Sequence, residues 1–294
     1  MKISVVIVNY NGIAFLRKCI ESIQNHVDGE YEIIVVDNSS SDGSCDFLRL
    51  SYPEVRLIRL SQNMGFAAGN NAGVMNASGD YILLLNNDTE LLSSVRGAAR
   101  LMEDNPRIGV IGAKMLGKSG EYRYSAGYFP SPWRLVKIST MHIKKGFFRK
   151  GEFPHRREYY QVDWVEASFF LTRRSLWNIL GGLDKNYFMY GEDVDYCRRV
   201  RDAGFMTVYC PSVQYLHYGG YGSTRLLDLV KGFIQYHRKF SGRWTRTLAL
   251  LLLRTSICAK YWCSGVLLMA GKRAEYKMRR EALSKVLSGN VWCG

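Results

Sequence analysis

Apolar positions along the chain alternate between two patterns. Residues 3–8 (ISVVIV) form an unbroken, largely β-branched run, and the segment that follows, IAFLRKCIESIQ, has apolar residues at 13, 16, 20 and 23, the spacing of one helical face. YEIIVVD (31–37), VRLIRL (55–60), YILLL (81–85) and IGVIGAKML (108–116) are further apolar runs, with helical spacing between them, as over 92–103. Strands without polar alternation are covered on both faces, which predicts an α/β fold with a mostly parallel sheet and crossover helices. From 118 to 160 the periodicity fades into a loop-rich, basic, aromatic insertion. VDWVEASFFLTRR (162–174) then reads as a strand followed by a short helix. Positions 194, 197 and 200 predict a helix after Gly191, with Glu192 and Asp193 at its N-terminus, and 206–220 reads as two short strands ending at His217.

The last section differs in character. TLALLLLRTSICAKYWCSGVLLMAG (247–271) is apolar but interrupted by Arg254 and Lys260. It falls short of the uninterrupted run of about 20 residues that crosses a bilayer, so it predicts an element lying in the membrane interface. Packing against the rest of the chain, or a homo-oligomer interface, is the other use of such helices. The net charge of +14 sharpens this, because residues from 220 onward hold 14 Lys and Arg against three acids, leaving only +3 for the first 219. Basic segments that bracket an apolar stretch suit an anionic inner-leaflet surface better than nucleic acid. The chain's 294 residues fit a domain over 1–225 and a basic, amphipathic helical region over 226–294. Seven scattered cysteines without zinc spacing predict a reducing compartment. The N-terminal MKISVVIVNYNG reads as a first strand, not a secretion signal. Cytoplasm, or the cytoplasmic face of a membrane, is the expected location.

Ligands of open parallel sheets lie beyond the carboxyl ends of the strands. Those ends read NYN (9–11), DNSSSDGS (37–44), SQNMGFAAGNN (61–71, a Gly/Asn-rich turn) and NNDTE (86–90), with neither a dinucleotide nor a P-loop fingerprint. Asp88 can hold a divalent cation that in turn holds phosphate, or it can cap a following helix. Asp37 can accept a pyrimidine base N–H while Asn38 and the following serines meet ribose or phosphate, or the same residues can serve a turn. A carboxylate beside the bulky FMYG segment suits proton abstraction, while acids at a helix start are also favourable by themselves. Asp195 is read as structural. His217 precedes the glycine-rich YGGYGSTR with Arg225, although an isolated histidine is commonly a hydrogen-bonded structural residue.

In their order, SVVIVNYNG, EIIVVDNSSSDGS, NMGFAAGNNAG, GDYILLLNNDTEL, FMYGEDVDYCRR and LHYGGYGST resemble family 2 glycosyltransferases of the GT-A fold, and among them the bacterial rhamnosyltransferase-like branch. The resemblance covers roughly residues 1–225. It implies inverting transfer of a sugar from a nucleotide-sugar, dTDP-L-rhamnose or a UDP-sugar, with Mg²⁺ or Mn²⁺, onto a lipid-linked or cell-surface glycan acceptor. It further implies Asp37 at the base with Asn9 lining the same pocket, and Asn63, Gly65 and Asn70 beside the nucleotide. Asn86, Asn87 and Asp88 fall at the family's D-x-D site, Asp88 being the metal ligand. Asp193 falls at the general base with Glu192 beside it, and His217 at a further metal or diphosphate contact. Asn86 departs from the pattern by bringing no charge where an acid is common. A sugar-nucleotide pyrophosphorylase would share the sheet but needs a Gly-rich, basic loop after the first strand, where this chain has NYNGIAFLRK.

Overall fold

The structure, a computed structural model, describes residues 1–136, 158–219, 225–269 and 273–288; the side chains of residues 225 and 264–279 are outside that description. Strands and helices alternate as the apolar runs predict: β1 (Lys2–Asn9), α1 (Ile13–His26), β2 (Glu30–Asp37), α2 (Ser44–Ser51), β3 (Arg56–Arg59), α3 (Gly65–Val74) and β4 (Tyr81–Asn86). There follow β5 (Thr89–Leu91), α4 (Arg96–Asp104) and β6 (Ile108–Leu116). The insertion carries β7 (Tyr122–Arg123), β8 (Ala126–Gly127) and α5 (Pro132–Val136), while its residues 137–157 lie outside the described ones. Then come β9 (Tyr160–Val162), β10 (Trp164–Val165), β11 (Phe169–Arg173), α6 (Arg174–Leu180), α7 (Glu192–Asp202) and β12 (Met206–His217). Three helices complete the described chain: α8 (Arg225–Phe240), α9 (Arg243–Met269) and α10 (Arg273–Ser288).

The main sheet is mixed, with four neighbouring parallel strands at one end, in the order β3-β2-β1-β4-β11-β6-β12-β5. β1, β2, β3 and β4 run parallel, β11 runs against both β4 and β6, and β12 is parallel to β6 but antiparallel to β5. Ile3, Val5 and Ile7 of β1 enter one core with Leu16, Ile20 and Ile23 of α1, with Val95 just before α4, and with Ala98 and Met102 of α4. On the opposite face Val6 and Val8 meet α3 at Gly73 and Gly69. Both faces of the strand are therefore covered, as its unalternated sequence requires.

Four local expectations change. The Gly/Asn-rich segment 65–71 is a helix, not a turn, because α3 must lie close to the sheet. A Cβ at Gly73 would come within 2.3 Å of Val6 Cγ1, and one at Gly69 within 2.9 Å of Val8 Cγ1, so close packing overrides poor helix propensity. The strand expected over 162–174 is divided into β9, β10 and β11, and 206–217 is one strand whose pairing with β6 shifts between Cys210 and Gln214, around Pro211. The helix expected from 92 begins at Arg96, and β5 occupies Thr89–Leu91. Asp88 therefore precedes a strand, which removes its reading as a helix cap.

The described chain divides into two compact units, one of residues 1–129, 158–188 and 192–219 that contains the sheet, the other of residues 130–136, 189–191 and those described from 225 on. The second has its own core, where Leu135, Val230, Phe233, Ile234, Leu253 and Ile257 pack with Leu283 and Val286 from α5, α8, α9 and α10.

Candidate active site

Register brings the strand ends together. Asn9 pairs with Asp37 across β1 and β2, and Val8 pairs with Asn86 across β1 and β4, so three parallel strands finish side by side in amides and an acid. Asn9 is fully buried and joins them: its Nδ2 donates to Asp37 Oδ1 (3.3 Å) and Ser40 Oγ (3.1 Å), and its Oδ1 accepts from Asn87 Nδ2 (2.8 Å). Gly12 is required beside this cluster, since a Cβ there would lie 2.0 Å from Asn87 Nδ2. Asp37 Oδ2 accepts from the Ser40 backbone N–H (3.1 Å), which fastens the loop after β2.

The neighbouring wall is built by Asn38, which the sequence offers, with the serines after it, as a contact for ribose or phosphate. Its Nδ2 donates to Asn63 Oδ1 (2.8 Å) and Gly65 O (3.2 Å), and its Oδ1 accepts from Met64 N (2.8 Å). Gly65 sits at φ +82°, and a Cβ there would meet Phe188 O at 2.4 Å. Asn70, by contrast, donates its Nδ2 to Phe66 O in its own helix (3.0 Å). Asn71 clamps the backbone of Leu183 through both amide atoms (2.7 and 2.9 Å).

Asp88 and His217 meet because His217 pairs with Thr89 across β12 and β5. His217 Nε2 lies 3.2 Å from Asp88 Oδ1, and its Nδ1 lies 3.2 Å from Met115 Sδ. Burial works to raise the pKa of Asp88, but the hydrogen bond and charge of His217, with the N–H groups of Asp88 and Gly219, outweigh it and hold the carboxyl below its ordinary value. His217 shows the converse: burial works to lower its pKa, and the hydrogen bond and charge of Asp88, helped by Glu166, hold it raised. Asn86 Nδ2 lies 3.5 Å from His217 Nε2, while its Oδ1 is buried without a hydrogen-bond partner among the described residues. A carboxylate, an imidazole and an unengaged amide oxygen suit a hard divalent cation. Among the described residues no group of three or more His, Cys, Asp or Glu could hold a metal by itself. The donor set thus fits a cation whose remaining ligands are phosphate oxygens, the usual habit of Mg²⁺.

A second group of acids begins α7. The chain turns into the helix through Tyr190 (φ +68°) and Gly191 (φ +102°). Glu192 is 4% exposed, and its Oε2 has no hydrogen-bond partner among the described residues. Burial first, then the charge of Asp193, with Glu166 and Asp195 adding to it, pushes its pKa well above the ordinary glutamate value. Asp193, the more accessible of the two, accepts the Val194 N–H at 2.7 Å. Asp195 is fully buried and pairs with Arg199 Nε at 2.6 Å; Arg199 also donates to Leu180 O and Gly182 O, a structural brace.

Glu166 acts electrostatically on both His217 and Glu192, so its charge is felt by both groups. Sequence reading missed it, although an acid within the apolar VDWVEASFF was the available signal. β11 is antiparallel to β4, so its beginning, not its end, reaches the site; Ser168 O accepts from Asn86 N at 3.2 Å. Arg225 heads α8 with its side chain outside the described residues, as is the chain over 220–224.

Known proteins resemble this chain in sequence and in fold. The family described as Glycosyl transferase family 2 matches residues 4–178. The N-acetylglucosaminyl-diphospho-decaprenol L-rhamnosyltransferase of Mycobacterium tuberculosis is 28% identical over 240 residues, covering 75% of this chain and 77% of its own. Rhamnosyltransferase WbbL of Escherichia coli K12 is 28% identical over 264 residues, covering 82% of this chain and 91% of its own. Among solved structures, GalNAc-T7 with UDP, GalNAc and Mn²⁺ superposes with a TM-score of 0.64 at 16% identity, over 96% of this chain and 54% of that one, a likeness of fold. The chain belongs to glycosyl transferase family 2, as a glycosyltransferase of the rhamnosyltransferase branch with the GT-A fold.

Proposed function

We propose that this glycosyltransferase moves L-rhamnose from dTDP-L-rhamnose, with inversion, onto a lipid-linked glycan at the cytoplasmic face of the bacterial inner membrane. The observation that carries the reading is the division of acids into two groups with different environments: Asp88 with His217 at the strand ends, and Glu192 with Asp193 at the start of α7. Donor and acceptor class come from the two rhamnosyltransferase relatives, one named for a lipid-diphosphate-linked N-acetylglucosamine.

Inversion requires the acceptor hydroxyl to attack the anomeric carbon from the face opposite the leaving diphosphate. Asp193 takes the hydroxyl proton as the new C–O bond forms, while the bond to the diphosphate breaks and its electrons leave with the nucleotide. Glu192 sits beside that base, its carboxyl pKa raised by burial and by the Asp193 charge. Asp37, Asn9, Asn38, Asn63 and Gly65 frame the nucleotide, and Asn86 and Asn87 offer uncharged hydrogen bonds toward the ribose and sugar. A Mg²⁺ or Mn²⁺ held by Asp88 and His217 would neutralise charge on the departing diphosphate. The basic C-terminal region holds the enzyme on the inner leaflet, where a lipid-linked acceptor resides.

A donor panel tests this: dTDP-L-rhamnose, UDP-glucose, UDP-galactose, UDP-GlcNAc and GDP-mannose, with Mg²⁺, with Mn²⁺ and with chelator, scored by donor hydrolysis. Turnover should be greatest with dTDP-L-rhamnose and a divalent cation. Preference for a UDP- or GDP-sugar would overturn the donor, and undiminished turnover in chelator would overturn the cation.

A further inference from the structure

Helix α9 has two faces. Ala249, Leu253 and Ile257 are buried in the core of the second unit. The other face carries large apolar side chains in water: Trp244 is 84% exposed, Leu248 38%, Leu251 56% and Trp262 70%. Positions 244, 248, 251, 255, 258 and 262 recur at helical spacing, so these side chains form one stripe, completed by Thr255 and Cys258. It spans roughly 27 Å at the helical rise. A tryptophan stands at each end, the residue whose amphipathic ring favours the boundary between headgroups and hydrocarbon.

Charge is distributed to match. Arg238 and Lys239 end α8 exposed, Arg243 opens α9 exposed, and Arg246 follows; no acid falls among residues 238–246. Trp244 therefore emerges among four cations, and exposed Arg254 flanks the stripe farther along. Long basic side chains can lay their stems along an apolar surface while their heads reach anionic headgroups. No helix among the described residues is long and apolar enough to cross a membrane. One apolar face, with cations gathered at its N-terminal end and an indole at each end, suits a helix lying in the plane of the interface.

We infer that the α9 face from Trp244 through Leu248 and Leu251 to Trp262, with the cations of the α8–α9 turn, is the surface by which this chain lies on an anionic bilayer. The inference rests on the membrane attachment proposed above and names the side chains that make it. A second copy of the chain would cover an apolar face equally well, but an isologous contact would bring the same face, and residues 238–263 hold no acid to balance these cations. Anionic lipid neutralises them.

The test is co-sedimentation of the full chain with phosphatidylglycerol-containing vesicles and with pure phosphatidylcholine vesicles, alongside the tryptophan emission wavelength. The variant carrying Trp244→Ser, Leu248→Ser, Leu251→Ser and Trp262→Ser changes exposed side chains only, and its melting temperature and donor binding report that it is folded. Wild type should bind anionic vesicles with blue-shifted emission, and the variant should bind at least about tenfold more weakly. Arg243→Gln with Arg246→Gln should weaken binding to anionic vesicles alone. If the folded variant binds as tightly as wild type, this face is the wrong one while membrane attachment stands. If wild type binds neither vesicle, attachment and face fall together. A wild-type dimer abolished by the four substitutions, without vesicle binding, would assign the face to a second copy and overturn the lipid.

Discussion

The carboxyl of Glu192 is buried beside Asp193, and this makes the local chemistry pH-dependent in a definite sense. Its pKa is raised on folding, so between the ordinary glutamate value and the raised one the native state keeps a proton that the unfolded state releases. Stability therefore falls as pH rises through that window, by about 1.4 kcal/mol for each unit by which the folded value exceeds the unfolded one. Glu192→Gln removes the titration. Thermal melts should find the variant more stable than wild type at about pH 8 and the difference closing toward about pH 4; a difference independent of pH would show that Glu192 is ionised in the fold. Asp88, Asp193 and His217 were legible as candidates because each follows a pattern break, apolar strand to acid or strand to glycine-rich loop. Glu166 was not, since an antiparallel strand presents its first residues where its parallel neighbours present their last. The sequence did not show what engages Asn70: an amide one turn along a helix can bond its own backbone, as Asn70 does to Phe66 O.

The elements with continuous apolar runs were read closely, because a strand buried on both faces has little freedom in composition. Residues 3–8, 31–37, 81–85 and 108–116 lie within β1, β2, β4 and β6. What the pattern concealed depends on distant partners. β5 has three residues and exists only because β12 reaches it, and α3 contains the helix-weakening Gly69 and Gly73 because Val8 and Val6 leave no room for side chains. Gly65 marks where this packing meets the site. Its positive φ and the nearness of Phe188 O predict that Gly65→Ala destabilises the protein by about 1–3 kcal/mol, measured by chemical denaturation. It should also weaken donor binding, because Asn38 Nδ2 bonds Gly65 O. Wild-type stability in that variant would mean the segment relaxes freely and does not frame the nucleotide.

Across the whole molecule, charge and chemistry are unevenly divided. The sheet-bearing unit carries the acids of the site, whereas residues from 220 onward carry eleven of the fourteen net positive charges. That imbalance was visible in the sequence as composition, but the exposed stripe of α9 was not, because the same apolar residues could equally have faced the core. The proton transfer assigned to Asp193 joins these levels, since it requires strand ends, helix start and lipid-linked acceptor to act on one sugar. The direct test is rhamnosyl transfer from saturating dTDP-L-rhamnose to a lipid-linked N-acetylglucosamine acceptor by Asp193→Asn, with calorimetric donor binding as its reference. A fall in transfer of about 10²-fold or more with donor affinity within about threefold of wild type is the predicted result. Transfer preserved, or transfer and donor binding lost together in a folded protein, would contradict Asp193 as the base.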